Sequence, residues 1–135
     1  MSLLVRRLFR RKRPIANTMV LRSFKSKFPK ATHVFWQPVD GFKWQVNFFL
    51  RKKRCTALFN SEGQWLETIS LISSDNIPEQ LQLTLEEKCN KDGLRQIYHV
   101  QTPDRSIYEM NLKNGLNTLK LLYDLSGNLI GKMLL

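Results

Sequence analysis

Apolar residues recur along the chain with two different periods. After Asn17 and Thr18, the apolar residues Val20, Phe24 and Phe28 follow one another every four positions. That spacing places them on one face of a helix, and either polar residue before them can cap its first turn. The proline that follows Phe28 ends this helix, because a residue that precedes proline is pushed out of the helical region.

Beyond residue 32 the period changes to two, which is typical of strands with one buried face. Four such strands are predicted, near residues 33–37, 44–50, 55–60 and 65–70. Asp40-Gly41 is a strong signal for a two-residue turn between the first two strands. This part of the chain thus predicts one helix followed by a four-stranded antiparallel meander.

The second half of the chain repeats this pattern. Shifted by 64 positions without a gap, residues 44–66 align with residues 108–130, and Asn47, Leu58 and Gly63 fall on identical residues. A second helix is predicted where apolar residues again recur every fourth position. Four strands follow, with a hairpin turn at Asn114-Gly115, near residues 95–101, 106–112, 118–123 and 128–133.

The repeat predicts the fold class. One short helix cannot cover the apolar face of a four-stranded meander, whereas two units that share a sheet bury their faces together. We therefore predict an α+β fold of two tandem α-β-β-β-β repeats. Their antiparallel meanders form one shared sheet with both helices on one face. The expected boundaries are a basic arm at residues 1–16 and repeats at residues 17–72 and 73–135.

The net charge of +11 is concentrated near the start of the chain. The first 30 residues hold ten of the 22 basic residues and none of the 11 acidic ones. The arm lacks the order of a secretory signal peptide, which predicts a cytoplasmic location. It is interpreted either as a solvated tail or as a tether to nucleic acid or an anionic membrane. The candidate basic patch consists of Arg6, Arg7, Arg10, Arg11, Lys12, Arg13, Arg51, Lys52, Lys53 and Arg54.

Three motifs resemble those of one known family. Residues 28–36 read aromatic-Pro-x-Ala-x-x-Val-x-Trp, and residues 59–65 read aromatic-Asn-x-x-Gly-x-Trp. Residues 123–129 repeat the second motif with Asp and Leu, and Ile77-Pro78 before the second helix also fits. With these motifs the chain resembles the β-lactamase-inhibitor-like, PepSY-like domain family over residues 19–135. The resemblance implies tandem helix-plus-four-strand units, a binding or inhibitory role and no catalytic residues. Members are often exported bacterial proteins, whereas this chain begins with the basic arm.

The residue types that carry catalysis or bind metals show no pattern of that kind. Neither His33 nor His99 lies near a nucleophile or acid in a catalytic or zinc-binding spacing, so both are expected to face solvent. Cys55 and Cys89 replace apolar residues in the repeat and are expected to be buried free thiols. We expect no cofactor, no small-molecule substrate and no enzymatic activity.

The side of the sheet that faces away from the helices is the candidate binding surface. Alternation places apolar residues such as Trp36, Trp44, Val46, Phe48 and Phe59 against the helices. The opposite face of the first repeat carries Phe35, Gln45, Asn47, Phe49, Thr56 and Leu58. In the second repeat it carries His99, Glu109, Asn111, Lys113, Lys120 and Leu122.

Three functions are compatible with these features. Aromatic residues among amides on an open sheet suit a module that binds a protein or peptide of unknown identity. Alternatively, the arm binds nucleic acid or an anionic membrane surface, or the domain only self-associates. Phe35 and Phe49 are also open to a simpler interpretation, as apolar residues that are exposed or covered by the arm, a loop or a second molecule.

Overall fold

The computed structural model describes residues 16–88 and 94–135. Within them lie two α-helices, a short 3₁₀ helix at Ser74–Asn76 and eight strands. The helices are α1 (Thr18–Lys27) and α2 (Glu79–Lys88). The strands are β1 (Thr32–Val39), β2 (Lys43–Leu50), β3 (Lys53–Asn60), β4 (Trp65–Ile72), β5 (Leu94–Gln101), β6 (Ser106–Asn114), β7 (Asn117–Tyr123) and β8 (Leu129–Leu134). The strands pair in chain order in one eight-stranded antiparallel sheet. The predicted α+β class is confirmed.

Two compact units divide the described residues, and each has its own apolar core. Unit 1 contains residues 16–52 and 56–66, and unit 2 contains residues 53–55 and 67–135 apart from the undescribed residues 89–93. The predicted division into repeats at residues 17–72 and 73–135 stays a prediction. The predicted arm and Cys89 lie largely or wholly outside the described residues.

The core of unit 1 forms around Phe24 of α1. The side chain of Asn17 caps this helix by accepting from Val20 N at 2.9 Å, which satisfies an amide that has no partner within the helix. Phe24 is buried, and its ring lies edge-on to the rings of three strand residues. The centroid distances are 5.3 Å to Trp36, 5.1 Å to Phe48 and 6.3 Å to Phe59. Such edge-to-face pairs add about 0.5–1.5 kcal/mol each to burial.

Strand β1 contains a bulge that sets its register. Thr32 pairs with Phe49 and Phe35 pairs with Asn47, so the two residues between Thr32 and Phe35 lie opposite a single residue of β2. The first of them, His33, has a left-handed backbone with φ of 54°. A bulge adds one residue to a strand and bends it locally. The alternation of β1 is therefore regular only from Phe35 onward.

Three hairpin turns differ from the sequence prediction. Between β1 and β2, Val39 pairs with Lys43, so the predicted two-residue turn at Asp40-Gly41 is a three-residue turn that also contains Phe42. Between β6 and β7, Asn114 pairs with Asn117, so the turn residues are Gly115 and Leu116 rather than Asn114-Gly115. Gly115 alone has positive φ, at 64°, as a type II′ turn requires at its first central position. The expected four-residue basic turn is also shorter than predicted, because β3 already begins at Lys53.

Unit 2 has a core of aliphatic side chains around α2. Leu81 of this helix is fully buried and packs with Ile97, Met110, Leu112, Leu121 and Tyr123. The spacing of Asn76 and Glu79 predicts a capping box in which Asn76 caps this helix. The helix begins only at Glu79, so Asn76 does not cap it. Instead, the side-chain amide of Asn76 donates to Ser73 Oγ at 3.0 Å. Cys55 is buried as expected, with its Sγ atom 3.5 Å from Ser70 Oγ.

Each unit contains a tight turn that lies directly against its helix. In unit 1, a Cβ atom added to Gly63 would lie 2.9 Å from Met19 O. In unit 2, a Cβ atom added to Gly127 would lie 2.6 Å from Gln80 O. Real Cβ atoms do not approach a backbone oxygen so closely, so only glycine allows these two contacts. The glycine of the aromatic-Asx-x-x-Gly motif is thus explained by helix packing as well as by turn geometry.

Candidate binding surfaces

Hydrogen bonds order the polar residues on the outer face of unit 1, which we define as the sheet face opposite Phe24. Asn47 Oδ1 accepts from Thr56 Oγ1 at 2.8 Å and from Gln45 Nε2 at 3.4 Å. Gln45 Nε2 also lies 3.4 Å from Gln37 Oε1. The four side chains form one continuous row across β1, β2 and β3. They are therefore held in fixed orientations before any partner arrives.

Apolar side chains flank this polar row. Phe35, the cross-strand neighbour of Asn47, is 56% exposed. Phe49 and Leu58 are half-buried, and the ring of His33 stands edge-on to Phe49 at a centroid distance of 5.6 Å. All six residues that the sequence assigned to this candidate surface thus lie on one face. Among them, Phe35 presents the most apolar surface to solvent.

The outer face of unit 2 has charged residues where unit 1 has neutral ones. Lys120 Nζ lies 2.6 Å from Glu109 Oε1, and Lys120 pairs across strands with Asn111. Asn111 Oδ1 is buried and has no hydrogen-bond partner among residues 16–88 and 94–135. Ile107 of the same face is buried. This face is consequently less open than the outer face of unit 1, and its polar groups are partly engaged with one another.

The predicted position of His99 on this outer face is wrong. His99 pairs with Tyr108, which packs against the core of unit 2, so its side chain lies on the inner face. The residue that pairs with Asn111, as Phe35 pairs with Asn47 in unit 1, is Gln96. Gln96 and His99 are three residues apart in β5, and successive residues of a strand point to opposite faces of the sheet. His99 therefore lies on the face opposite Gln96 and Asn111.

His99 is half-buried on the inner face, where its environment lowers its basicity. Its Nε2 atom lies 2.6 Å from Ser106 Oγ, and its ring lies 5.3 Å from the ring of Tyr108. Burial, and next the positive charge of Lys53, lower the pKa of His99 below its ordinary value. Both effects disfavour the charged imidazolium. The expectation of a solvent-facing histidine is not met at this position.

The basic residues around the β2–β3 turn are all exposed. Arg51 and Lys52 form the turn itself, with left-handed φ values of 51° and 66°. Lys53 and Arg54 belong to strand β3. The other six residues of the candidate basic patch lie outside the described residues. The structure therefore places only the four residues 51–54 of this patch, on one hairpin.

Phe42 is an exposed aromatic residue that the sequence interpretation passed over. It is 86% exposed and has a left-handed backbone with φ of 65°, which is rare for a bulky residue. Its carbonyl oxygen accepts from Ser61 N at 2.9 Å, and Ser61 O accepts from Asn17 Nδ2 at 2.8 Å. The β1–β2 hairpin is therefore joined to the start of α1. In the sequence, the exposed position of Phe42 is indicated only by its place directly after Asp40-Gly41.

A groove beside β1 is the second feature that the sequence does not indicate. It lies between α1 and β1, has a volume of about 470 Å³ and is lined mainly by apolar side chains. Val34 and Trp36 contribute from the strand, and Leu21, Phe24 and Phe28 contribute from the helix. Lys25 is the charged residue of its lining.

Residues 16–88 and 94–135 contain neither a metal-binding cluster nor a membrane-spanning helix. No group of three or more His, Cys, Asp and Glu side chains in these residues could hold a metal ion. Neither of the helices described above is long and apolar enough to span a membrane.

Comparison with protein families identifies the chain. A family model described as beta-lactamase-inhibitor-like and PepSY-like matches residues 44–131, which is well over half of the sequence. The chain belongs to this PepSY-like family. The resemblance inferred from the three motifs is thereby confirmed. No curated protein matches the sequence.

Solved structures with the same fold come from several Bacteroides species. A BLIP-like protein from Bacteroides fragilis shares 15% identity and has a TM-score of 0.82, with 90% of this chain and 88% of the other covered. A DUF2874 family protein from Bacteroides ovatus shares 21% identity and has a TM-score of 0.79, with 90% and 89% covered. The TM-scores establish a common fold, and at these low identities they establish the fold alone.

A third structure has the same fold and comes from a protein with a described location. It belongs to a Bacteroides eggerthii protein described provisionally as periplasmic, with 16% identity, a TM-score of 0.77 and 90% of each chain covered. The cytoplasmic location that the sequence predicted for this PepSY-like protein gains no support from that relative.

Proposed function

We propose that this PepSY-like protein is a non-catalytic, inhibitor-like module that binds a protein or peptide on the outer face of unit 1. The family membership supports a binding role in general. The observation that carries the specific proposal is Phe35, a largely exposed aromatic side chain directly beside the hydrogen-bonded Asn47. Aromatic residues are enriched at protein interfaces, and polar groups that are already ordered lose little entropy on binding.

Site-specific crosslinking tests the proposal directly. A benzophenone amino acid in place of Phe35 is expected to crosslink discrete proteins when the full chain is mixed with native extract. The same group in place of Leu116, a fully exposed turn residue of unit 2, serves as the matched control. Given the family description, a purified β-lactamase is the first defined partner to try.

Competition makes the result quantitative. Excess unlabelled wild-type protein should suppress the crosslinks. Phe35→Ser should compete at least about ten-fold less well, because truncating a hot-spot residue at the centre of an interface costs about 2 kcal/mol or more. Leu116→Ser should compete like the wild type. Identical crosslinking patterns at positions 35 and 116, or equal competition by both variants, would reject the outer face of unit 1 as the binding surface.

Self-association is a second candidate function, favoured by strand β8. This strand is last in the sheet order, and it exposes Leu129, Ile130, Met133 and Leu134. An apolar edge strand is a template for pairing with another chain. Sedimentation of the wild type should then show a concentration-dependent dimer that Ile130→Lys abolishes. Leu116→Lys is the control, and a monomer at all concentrations rejects the idea.

The basic arm remains an independent hypothesis for binding nucleic acid or anionic membranes. Phosphate contacts would make such binding fall steeply with salt. The double substitution Arg51→Glu and Lys52→Glu should weaken it further if the hairpin contributes. Equally poor binding of DNA, RNA and anionic vesicles by the wild type at low salt would exclude it.

We also propose that residues 17–72 and residues 73–135 derive from one repeated α-β-β-β-β unit. The glycine turns that each lie against a helix support this idea, as do the matching pairs Phe35–Asn47 and Gln96–Asn111.

The cellular compartment is a separate hypothesis. Fractionation of native cells decides between the cytoplasm, as the sequence predicted, and the periplasm, as described for the Bacteroides eggerthii protein.

A further inference from the structure

Strand β1 combines an available edge with the neighbouring apolar groove. It is the first strand in the sheet order, and no strand of the described residues pairs with its other edge. The groove between this strand and α1 runs alongside. We propose that the groove and the edge together bind an extended acidic peptide as an additional β-strand. Its apolar side chain enters the groove and its carboxylates face Lys25. This site is separate from the outer face of unit 1.

The edge supplies the backbone part of such a site. An extended peptide that adds to a sheet edge gains main-chain hydrogen bonds, while pockets for alternate side chains give specificity. The bulge at His33 and the proline at position 38 interrupt regular pairing near the two ends of β1. The segment at residues 34–37 lies between these two points. A peptide is therefore expected to pair with a short stretch rather than with the whole strand.

The groove supplies the apolar pocket. Val34 lines the groove, and 42% of it is exposed. Trp36 forms part of the wall, and its ring is held edge-on against the buried Phe24. This ring contact holds the Trp36 side of the groove in place. One aliphatic side chain of a peptide would cover the exposed part of Val34.

Charge selects the kind of peptide. Residues 16–39 contain four cations and no acidic residue, and Lys25 is the cation that lines the groove. Lys27 is directed elsewhere, because its Nζ atom lies 3.8 Å from the centroid of the Trp65 ring. A second copy of this chain is disfavoured as the occupant, since pairing two β1 edges would bring two positive surfaces together. An acidic peptide complements this charge.

A designed peptide tests the site on the full chain. The probe has a Val-Leu-Val centre, two glutamates at each end, blocked termini and a fluorophore. A second peptide carries lysines in place of the glutamates, and a third is N-methylated at the central leucine, which removes one backbone donor. We expect both changed peptides to bind at least about ten-fold more weakly, equivalent to 1.4 kcal/mol.

Two variants of the protein with the same net charge locate the contact. Lys25→Glu should weaken binding of the acidic peptide about ten-fold or more. Lys132→Glu, on the exposed strand β8, should change it less than about two-fold. Lys25→Gln should give an intermediate loss. In NMR spectra, the amide shifts caused by the peptide should centre on residues 34–37.

Several results would overturn the proposal. They are equal binding of the acidic and basic peptides, equal effects of Lys25→Glu and Lys132→Glu, or no binding at about 1 mM peptide. Amide shifts centred on β8, or on β2 and β3 rather than on β1, would also overturn it. Crosslinking through Phe35 does not depend on any of these outcomes, so this site and the proposed function can fail separately.

Discussion

Thr56 and Asn47 are joined on the outer face of unit 1 by a hydrogen bond of 2.8 Å between Thr56 Oγ1 and Asn47 Oδ1. The bond connects β3 to β2 and orients the amide that lies beside Phe35. The longer contact of 3.4 Å from Gln45 Nε2 reaches the same oxygen. Thr56 therefore holds Asn47 in position for the proposed binding surface.

Replacing Thr56 with Val tests this contact with almost no change in shape. Thr56→Val should lower the free energy of unfolding by about 1 kcal/mol, because it removes the donor and leaves a partly buried acceptor with one weak partner. Urea denaturation should show a lower midpoint with an unchanged slope. Thr56→Ser keeps the hydroxyl group and should lose less. A loss in Thr56→Ser without a loss in Thr56→Val would mean that the methyl group, and not the hydrogen bond, stabilises this position.

The contact between Gly127 and α2 gives a second prediction. Gly127→Ala should destabilise the protein by about 2 kcal/mol or more, because the added Cβ would lie 2.6 Å from Gln80 O and φ is +91°. Gly115 also has positive φ but has no neighbouring atoms within 4 Å of an added Cβ. Gly115→Ala should therefore lose only the conformational part, about 1 kcal/mol. Thermal unfolding of the two variants under identical conditions separates the two effects.

If both glycine variants unfold at the same temperature, the close contact of the turn with α2 contributes nothing. A lower unfolding temperature for Gly127→Ala would explain the glycine of the aromatic-Asp-x-x-Gly motif. Its role would then be to let the turn approach the helix.

Asp124 in the same turn should make stability depend on acidity. Its Oδ1 atom accepts from Asn128 N at 2.9 Å and from Ser126 N at 3.0 Å. These amides, that of Asn128 first, lower the pKa of Asp124 below its ordinary value. Its contribution to stability is therefore complete above the unfolded pKa of about 3.9 and is lost as pH falls through the folded pKa.

Asp124→Asn is the matched variant for that prediction. Asn60 shows that an amide can serve in such a turn, because its Oδ1 atom accepts from Glu62 N and Gln64 N at 3.0 Å and 2.9 Å. The difference in unfolding free energy between wild type and variant should be constant near neutral pH. It should shrink as the pH is lowered below about 4. A difference that does not change with pH would contradict the assignment to the carboxylate.

Parts of this architecture could be predicted from the sequence because they depend on local patterns. Apolar spacing of four and then two is sufficient to indicate α1 and the strands that follow. The Asx-x-x-Gly motif indicates turns at Asn60 and Asp124. The outer face of unit 1 follows from alternation, because β2 and β3 are regular and β1 is regular from Phe35 onward.

The wrong predictions concern positions where an error of one residue in strand register changes the face of a side chain or the residues of a turn. His99 was assigned to the wrong face because the face of a strand residue changes at every position, so an error of one residue in the register of β5 reverses it. A one-residue change in register moved the β6–β7 turn from Asn114-Gly115 to Gly115 and Leu116. The groove beside β1 could not be predicted, because it depends on how α1 lies against the strand in three dimensions.

His99 gives the last prediction, which concerns the pH range just below neutral. Because burial and the charge of Lys53 lower its pKa in the folded protein, the unfolded chain takes up a proton first as pH falls. The stability is therefore complete above the unfolded pKa of about 6.5 and decreases as pH falls from there towards the folded pKa. His99→Gln removes the titrating group and should lack this decrease. Urea unfolding midpoints across this pH range, compared between wild type and variant, measure it.

The contribution of Lys53 can be separated from that of burial. Lys53→Met should raise the pKa of His99, measured by NMR titration of the ring protons, because it removes the repulsion between two positive charges. Lys52→Met is the control, since it changes the net charge equally in the adjacent turn but Lys52 is not a cause of the shift. Equal changes in both variants would indicate a general effect of net charge. A rise confined to Lys53→Met would show that the charge of Lys53 on β3 acts on His99 at the inner face of the sheet. The pairing of His99 with Tyr108 places it on that face.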